Sequence, residues 1–129
     1  MGEHDLDGHT ILVVDDDADI RELIGTVLKM KGCRVVEAAN GSQAVELAPQ
    51  VHPALILMDL SMPVLDGYEA TRRLKAQPDL CGIPVVAVSA HCDPHHRARA
   101  LAAGCSECVG KPVDFGLLVE LLEKHLPVQ

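Results

Sequence analysis

Polar side chains able to do chemistry together stand at the carboxyl ends of short apolar runs. Ile11-Leu12-Val13-Val14 leads into Asp15-Asp16-Asp17, Leu55-Ile56-Leu57-Met58 into Asp59, and Val85-Val86-Ala87-Val88 into Ser89, while Lys111-Pro112 follows a shorter run ending at Gly110. Carboxylates brought together repel one another unless a cation compensates. An oxygen-only set with room for water favours Mg²⁺ over zinc. A carboxylate held beside Mg²⁺ and a lysine is equipped to attack a phosphoryl group, because metal and ammonium neutralise charge on the transferring oxygens. The expected product is an aspartyl phosphate. Taken singly, each residue has a plainer reading: aspartates cap helices, Ser89 lies in a loop, and Lys111 is a solvated cation. Only a fold that brings the run ends to one rim joins them.

The elements between them supply such a fold. The apolar runs, with Arg34-Val35-Val36-Glu37-Ala38 and about Glu107 to Gly110, read as five strands; near-continuous apolar strands imply a sheet covered on both faces. Ile20, Leu23, Ile24, Val27 and Leu28 trace one face of a first helix, which Gly32 stops. A second helix follows Asn40-Gly41 with Ala44, Val45, Leu47 and Ala48 inward, and a third runs from about Gly67 to Ala76. Pro94 opens a helix reaching Ala103, and Asp114 caps a last one carrying Leu117, Leu118, Leu121 and Leu122. Strands and helices alternating with short connections specify an α/β domain, a parallel sheet with right-handed crossovers and helices on both faces. In such a doubly wound sheet the functional crevice lies beyond the carboxyl ends of the strands, where the aspartates, Ser89 and Lys111 fall.

Composition narrows the function. The 129 residues are 48% hydrophobic and carry a formal charge of −8 spread along the chain, which fits one globular domain and argues against a nucleic-acid backbone as direct partner. No run approaches a membrane span, and the N-terminus lacks the cationic and apolar regions of a signal peptide, so the expected location is cytoplasmic. Five scattered cysteines (Cys33, Cys81, Cys92, Cys105, Cys108) suit reduced thiols better than a disulfide framework. With Tyr68 and Phe115 as the only aromatics, the core is expected to be aliphatic.

The segments Ile11-Leu12-Val13-Val14-Asp15-Asp16-Asp17, Leu57-Met58-Asp59-Leu60-Ser61-Met62-Pro63 with Asp66-Gly67, Pro84-Val85-Val86-Ala87-Val88-Ser89-Ala90, and Gly110-Lys111-Pro112 together resemble the receiver domain of two-component response regulators. The resemblance covers Thr10 to Leu126 (domain 10–126), leaving 1–9 as an N-terminal extension and 127–129 as a C-terminal tail. It implies a flavodoxin-like, five-stranded parallel sheet of order 2-1-3-4-5. Asp59 would be the phosphoacceptor. Asp16 directly, Asp15 mostly through water, Asp59 and the Ser61 carbonyl would hold Mg²⁺, and Asp17 would cap the first helix. Ser89 and Lys111 would each engage a phosphoryl oxygen, a cis peptide would precede Pro112, and Gly67 would give the turn into the third helix room. Ser61 and His91 occupy the two positions that tune phosphoryl lifetime in the family.

One departure stands out: Cys108 occupies the place of an aromatic ring that reports the movement of the hydroxyl at Ser89. A thiol lacks the area and ring geometry for that role, so phosphorylation is expected to act through the loop after Ser89 or to shift the face of the fourth helix only weakly. Two other readings of the same region are weaker. His91, Cys92, His95, His96, Cys105 and Cys108 are zinc-ligand types without a finger spacing, and Cys105-x-x-Cys108 precedes a strand instead of opening a helix as a redox dithiol would. Buried, unreactive thiols are the default.

The reading is therefore a phosphoacceptor that catalyses only its own phosphorylation and dephosphorylation. A histidine kinase or histidine phosphotransfer protein would be its partner upstream and an unknown protein downstream, with the chain a monomer or weak homodimer. The rivals are a receiver-shaped scaffold that does not use phosphorylation, and a receiver belonging to a larger hybrid kinase or regulator. An aspartate-nucleophile phosphatase needs a second aspartate where Ser61 stands, and a nucleotide-binding module needs a glycine-rich cradle where Asp15 to Asp17 stand.

Overall fold

The computed structural model describes residues 7–62 and 65–126. The expected extension, tail and Pro63 therefore fall wholly or partly outside the described residues. Elements alternate along the chain: β1 (Thr10–Val14), α1 (Ala18–Met30), β2 (Arg34–Ala38), α2 (Gly41–Val51), β3 (Leu55–Asp59), α3 (Gly67–Lys75), β4 (Val85–Ser89), α4 (Pro94–Ala103), β5 (Glu107–Gly110) and α5 (Phe115–His125). All strand pairs are parallel, and the sheet order is β2-β1-β3-β4-β5, as the resemblance implies.

Strand alternation divides the core into two layers. Ile11, Val13, Leu55, Leu57, Val86 and Val109 face Ile24 and Leu28 of α1 and Leu118 and Leu122 of α5. Leu12, Val14, Ile56, Met58, Val85 and Ala87 face the other way, toward Ala44 and Ala48 of α2, Tyr68 and Leu74 of α3, and Ala100 and Ala103 of α4. β2, at the sheet edge, is the least buried strand, which accounts for its weaker apolar pattern.

Each helix begins on a side chain that accepts backbone N–H groups left without intrahelical partners: Asp17, Asn40, Asp66, Asp93 and Asp114. Asp17 is thus the cap expected for the third aspartate of the run. Gly32 follows α1 with φ +91, a conformation costly for any residue with a Cβ. α4 is thinly anchored, burying only Ala100 and Ala103 and leaving Leu101 exposed.

Two expectations need correction. Leu23 is not on the buried face of α1 but 53% exposed; the stripe centres on Ile24 and Leu28, which puts Leu23 at its flank. Nor are all the thiols reduced: Cys92 and Cys108 form a disulfide, with Cα atoms 6.2 Å apart. The pairing arises because β4 and β5 are neighbours, Ala87 standing opposite Cys108, so the loop leaving β4 passes beside β5. Cys108 therefore pairs with Cys92 and not with Cys105, whose buried sulfur lies 3.8 Å from the Thr71 hydroxyl.

Candidate functional site

Neighbouring strands in register deliver the acidic residues to one edge. Val14 stands opposite Met58, so Asp15 and Asp59, each one residue further on, emerge side by side. Both are buried, Asp59 at 3% exposure, while Asp16 is exposed. One oxygen from each of Asp15, Asp16 and Asp59 can lie within 4.8 Å of the others. Asp15 Oδ1 accepts from the Asp17 N–H at 2.9 Å, and Asp59 Oδ1 accepts from the Ser61 N–H at 3.1 Å. These bonds fix both carboxyl planes with an oxygen left for other partners.

Lys111 follows Gly110, which stands opposite Ser89 in the β4–β5 ladder. From there its Nζ reaches back to Asp15 Oδ2 at 3.2 Å and to Asp59 Oδ2 at 3.5 Å. The Lys111-Pro112 peptide is cis, as expected. Gly67 is packed so closely beneath the site that a Cβ there would collide with the Asp59 carbonyl oxygen and lie 2.8 Å from the Leu60 Cα.

Three carboxylates against one ammonium leave the cluster with two uncompensated negative charges. Burial pushes the Asp59 carboxyl up to about 6, helped by the charge of Asp15 and a hydrogen bond with Asp16; the Ser61 N–H and the Lys111 ammonium pull the other way. Burial alone would lower Lys111, but the Asp59 and Asp15 carboxylates outweigh it and hold the ammonium above the ordinary lysine value. A hard divalent cation suits this donor set, all oxygen and negative in sum, with Asp16 on the solvent side where water can complete the shell. The cluster is positioned for Mg²⁺, and it contains no sulfur or imidazole that would favour zinc.

Ser89 is buried at the same edge, and its Oγ accepts from the His91 N–H at 3.0 Å. Its hydroxyl is thus engaged by its own loop. His91 is exposed, its ring stacked on His96 with centroids 5.1 Å apart. Ser61 is exposed beside Asp59, and Cys108 lies buried in β5 away from the carboxylates.

Two participants escape a reading of the sequence. Arg21 donates to the Asp15 carbonyl at 2.7 Å and to Glu37 at 2.9 Å, tying α1 and β2 to the acidic loop; only its position one turn past the Asp17 cap could have suggested it. The pairing of Cys92, which the sequence offers only as a zinc-ligand type, with Cys108 is the other, and its signal is the adjacency of β4 and β5 in the expected strand order. Beside Lys111 and Pro112 an apolar groove of about 190 Å³ opens between α1 and the start of α5, lined by Ile20, Leu23, Ile24, Val113 and Phe115.

Comparison with known proteins bears on the same residues. The response regulator receiver domain model matches residues 11–123. An uncharacterized 14.6 kDa protein of Leptolyngbya boryana is 35% identical over 115 residues, covering 89% of this chain and 88% of that protein. Hybrid signal transduction histidine kinase M of Dictyostelium discoideum is 38% identical over 119 residues; they cover 88% of this chain but only 5% of the kinase. Among solved structures, the receiver domain of sensor histidine kinase PA1611 from Pseudomonas aeruginosa, with a magnesium ion coordinated in its active-site cleft, superposes with a TM-score of 0.85 at 36% identity, covering 92% of this chain and 97% of that one. Chemotaxis protein CheY4 of Vibrio cholerae superposes with a TM-score of 0.87 at 26% identity, covering 92% and 98%.

Proposed function

The chain belongs to the response regulator receiver family, and from that premise we propose that it accepts a phosphoryl group from a phosphohistidine onto Asp59 and signals by protein contact. The observation that carries the reading is the Lys111 ammonium set between the buried carboxylates of Asp15 and Asp59. The Asp59 carboxylate attacks phosphorus; the P–N bond breaks and the imidazole nitrogen keeps its electron pair. The Ser61 N–H holds one Asp59 oxygen and so sets the angle at which the other meets the incoming group. Lys111 follows the charge as it moves from carboxylate to phosphoryl oxygens. Asp15, Asp16, Asp59 and the Ser61 carbonyl would hold Mg²⁺, which supplies positive charge against the phosphoryl oxygens when bound. Hydrolysis ends the phosphorylated state: water attacks phosphorus, the P–O bond to Asp59 breaks, the carboxylate is restored and inorganic phosphate leaves, with Ser61 and His91 bordering the approach of the water.

Ser89 is the residue that would register the event. A phosphoryl oxygen offers its hydroxyl a stronger acceptor, and turning toward it breaks the bond from the His91 N–H, so the β4–α4 loop is the first segment to respond. The upstream partner is a histidine kinase or histidine phosphotransfer protein, met in the cytoplasm, and the groove beside Lys111 with exposed Leu23 offers it an apolar seat. Among the described residues no helix is long and apolar enough to cross a membrane. Receiver domains act on no separate substrate, so the output is a changed surface.

Intact-mass spectrometry after incubation with acetyl phosphate tests the reading. One phosphoryl adduct is expected with Mg²⁺, none with chelator, and none in Asp59→Asn. An adduct that persists in Asp59→Asn, or none in the unaltered protein, would refute it.

A further inference from the structure

The Cys92–Cys108 bridge encloses α4, and among the described residues little else ties the start of that helix to the sheet. Its buried residues, Ala100 and Ala103, lie in its second half, and most of its first turn is exposed. Arg97 adds one tie, donating to the Cys108 carbonyl at 3.3 Å, which lands on the bridged residue itself. At the other end of the loop the Cys92 sulfur lies 3.9 Å from the Ser89 carbonyl, and between them the His91 N–H donates to the Ser89 hydroxyl. The crosslink therefore grips the segment that must shift if Ser89 turns away from His91.

We propose that the Cys92–Cys108 bridge is a reversible redox tether: oxidised, it locks the β4–α4 loop and the start of α4 to β5; reduced, it releases them. The two sulfurs differ in access. Cys108 is 6% exposed, whereas Cys92 sits half-buried on the loop before α4, so an incoming thiol reaches the Cys92 sulfur first. A small thiol of the glutathione class attacks the Cys92 sulfur; the S–S bond breaks and Cys108 leaves as thiolate and takes a proton. A second thiol then attacks the mixed disulfide, releasing Cys92 and a small-molecule disulfide. Two electrons and two protons pass to the protein, and the small-molecule disulfide returns it to the bridged form. The other buried thiols are poorer participants, since burial pushes Cys33 up to about 11 and raises Cys105 as well. Where the family places a ring, this chain has a covalent link, so the oxidised form resists the movement that phosphorylation asks of the loop; that consequence, though not the tether, rests on the function proposed above.

The full chain, equilibrated in glutathione and glutathione disulfide buffers, is alkylated and mapped for the state of Cys92 and Cys108, and hydrogen exchange is followed over residues 90–103. The bridge is expected to open and close with the buffer, and amides from 90 to 97 to exchange about tenfold more slowly when it is closed. Cys92→Ala should exchange like the reduced protein in both buffers; the two redox states of the unaltered protein decide the matter even if that variant misfolds. A bridge that never forms or cannot be reduced without denaturant, or equal exchange in both states, overturns the tether. Adding acetyl phosphate and Mg²⁺ should change exchange at 90–97 in the reduced form only; an equal change in both forms also overturns it. Absence of an adduct on Asp59 would count against the phosphoacceptor, while the unphosphorylated comparison still decides the tether.

Discussion

Replacing Asp59 with asparagine should stabilise the protein when no divalent cation is present. The folded protein holds this carboxyl up to about 6 against an ordinary value of 3.8, chiefly through burial. Between those values the unfolded chain has released its proton and the folded one has not, so folding takes up a proton and stability falls as pH rises through the window. The full penalty, reached above about pH 6, is on the order of 3 kcal/mol. Asparagine stands in for the neutral carboxyl and removes that penalty; the attraction to Lys111 is already contained in the value of about 6, so the expected gain is about 2–3 kcal/mol, or roughly 1–2 M in the urea midpoint. The assay is urea unfolding of both proteins in chelator at pH 7.5 and again near pH 4, where the gain should shrink toward zero. Saturating Mg²⁺ should narrow the gap at pH 7.5, because an ion held about 100-fold above its dissociation constant stabilises the unaltered protein by about 2.7 kcal/mol, and the variant lacks one ligand. An Asp59→Asn protein that is less stable at pH 7.5 in chelator, or a gain that persists at pH 4, would refute the argument that burial of an ionised Asp59 strains the site.

Other perturbations separate the parts of the site. Lys111→Met removes the ammonium that contacts both buried carboxylates; the rate of adduct formation with acetyl phosphate should fall about 100-fold, while Mg²⁺ binding, read by titration calorimetry, should hold or tighten. Gly67→Ala forces a Cβ against the Asp59 carbonyl oxygen and should cost about 1–3 kcal/mol in urea unfolding, with slower phosphorylation because the Asp59 backbone must move. Leu23→Lys puts a charge at the apolar groove beside Lys111; transfer from a histidine phosphotransfer protein should slow about tenfold with the acetyl phosphate rate unchanged, which radiolabel transfer can measure.

The sheet was legible because its central strands are buried on both faces and read as apolar runs, and because each of these runs leads into a polar residue at the same edge of the sheet. Asp15, Asp59 and Lys111 could be joined from the strand order, since parallel strands in register bring their carboxyl ends to one edge. Side-chain direction was harder to read. Leu23 has the spacing of a buried residue, but a helix stripe has flanks, and this one opens on a groove. Ser89 was placed at the right edge, yet the partner of its hydroxyl is set by the turn geometry of its loop, which spacing does not encode. The disulfide was hidden for a different reason: Cys92 and Cys108 are separated by a whole helix, and only the three-dimensional adjacency of β4 and β5 brings them together. An odd cysteine count argued for thiols throughout, whereas pairing depends on distance.

Phosphoryl transfer to this chain should end on Asp59 itself. Treating the acetyl phosphate-labelled protein with borohydride reduces an acyl phosphate to the alcohol and leaves homoserine where the phosphorylated aspartate stood, which peptide mass spectrometry locates. Homoserine is expected at position 59 alone, formed only in protein labelled with Mg²⁺ present. Homoserine at position 15 or 16, or a phosphoryl adduct that leaves residue 59 unreduced, would contradict it.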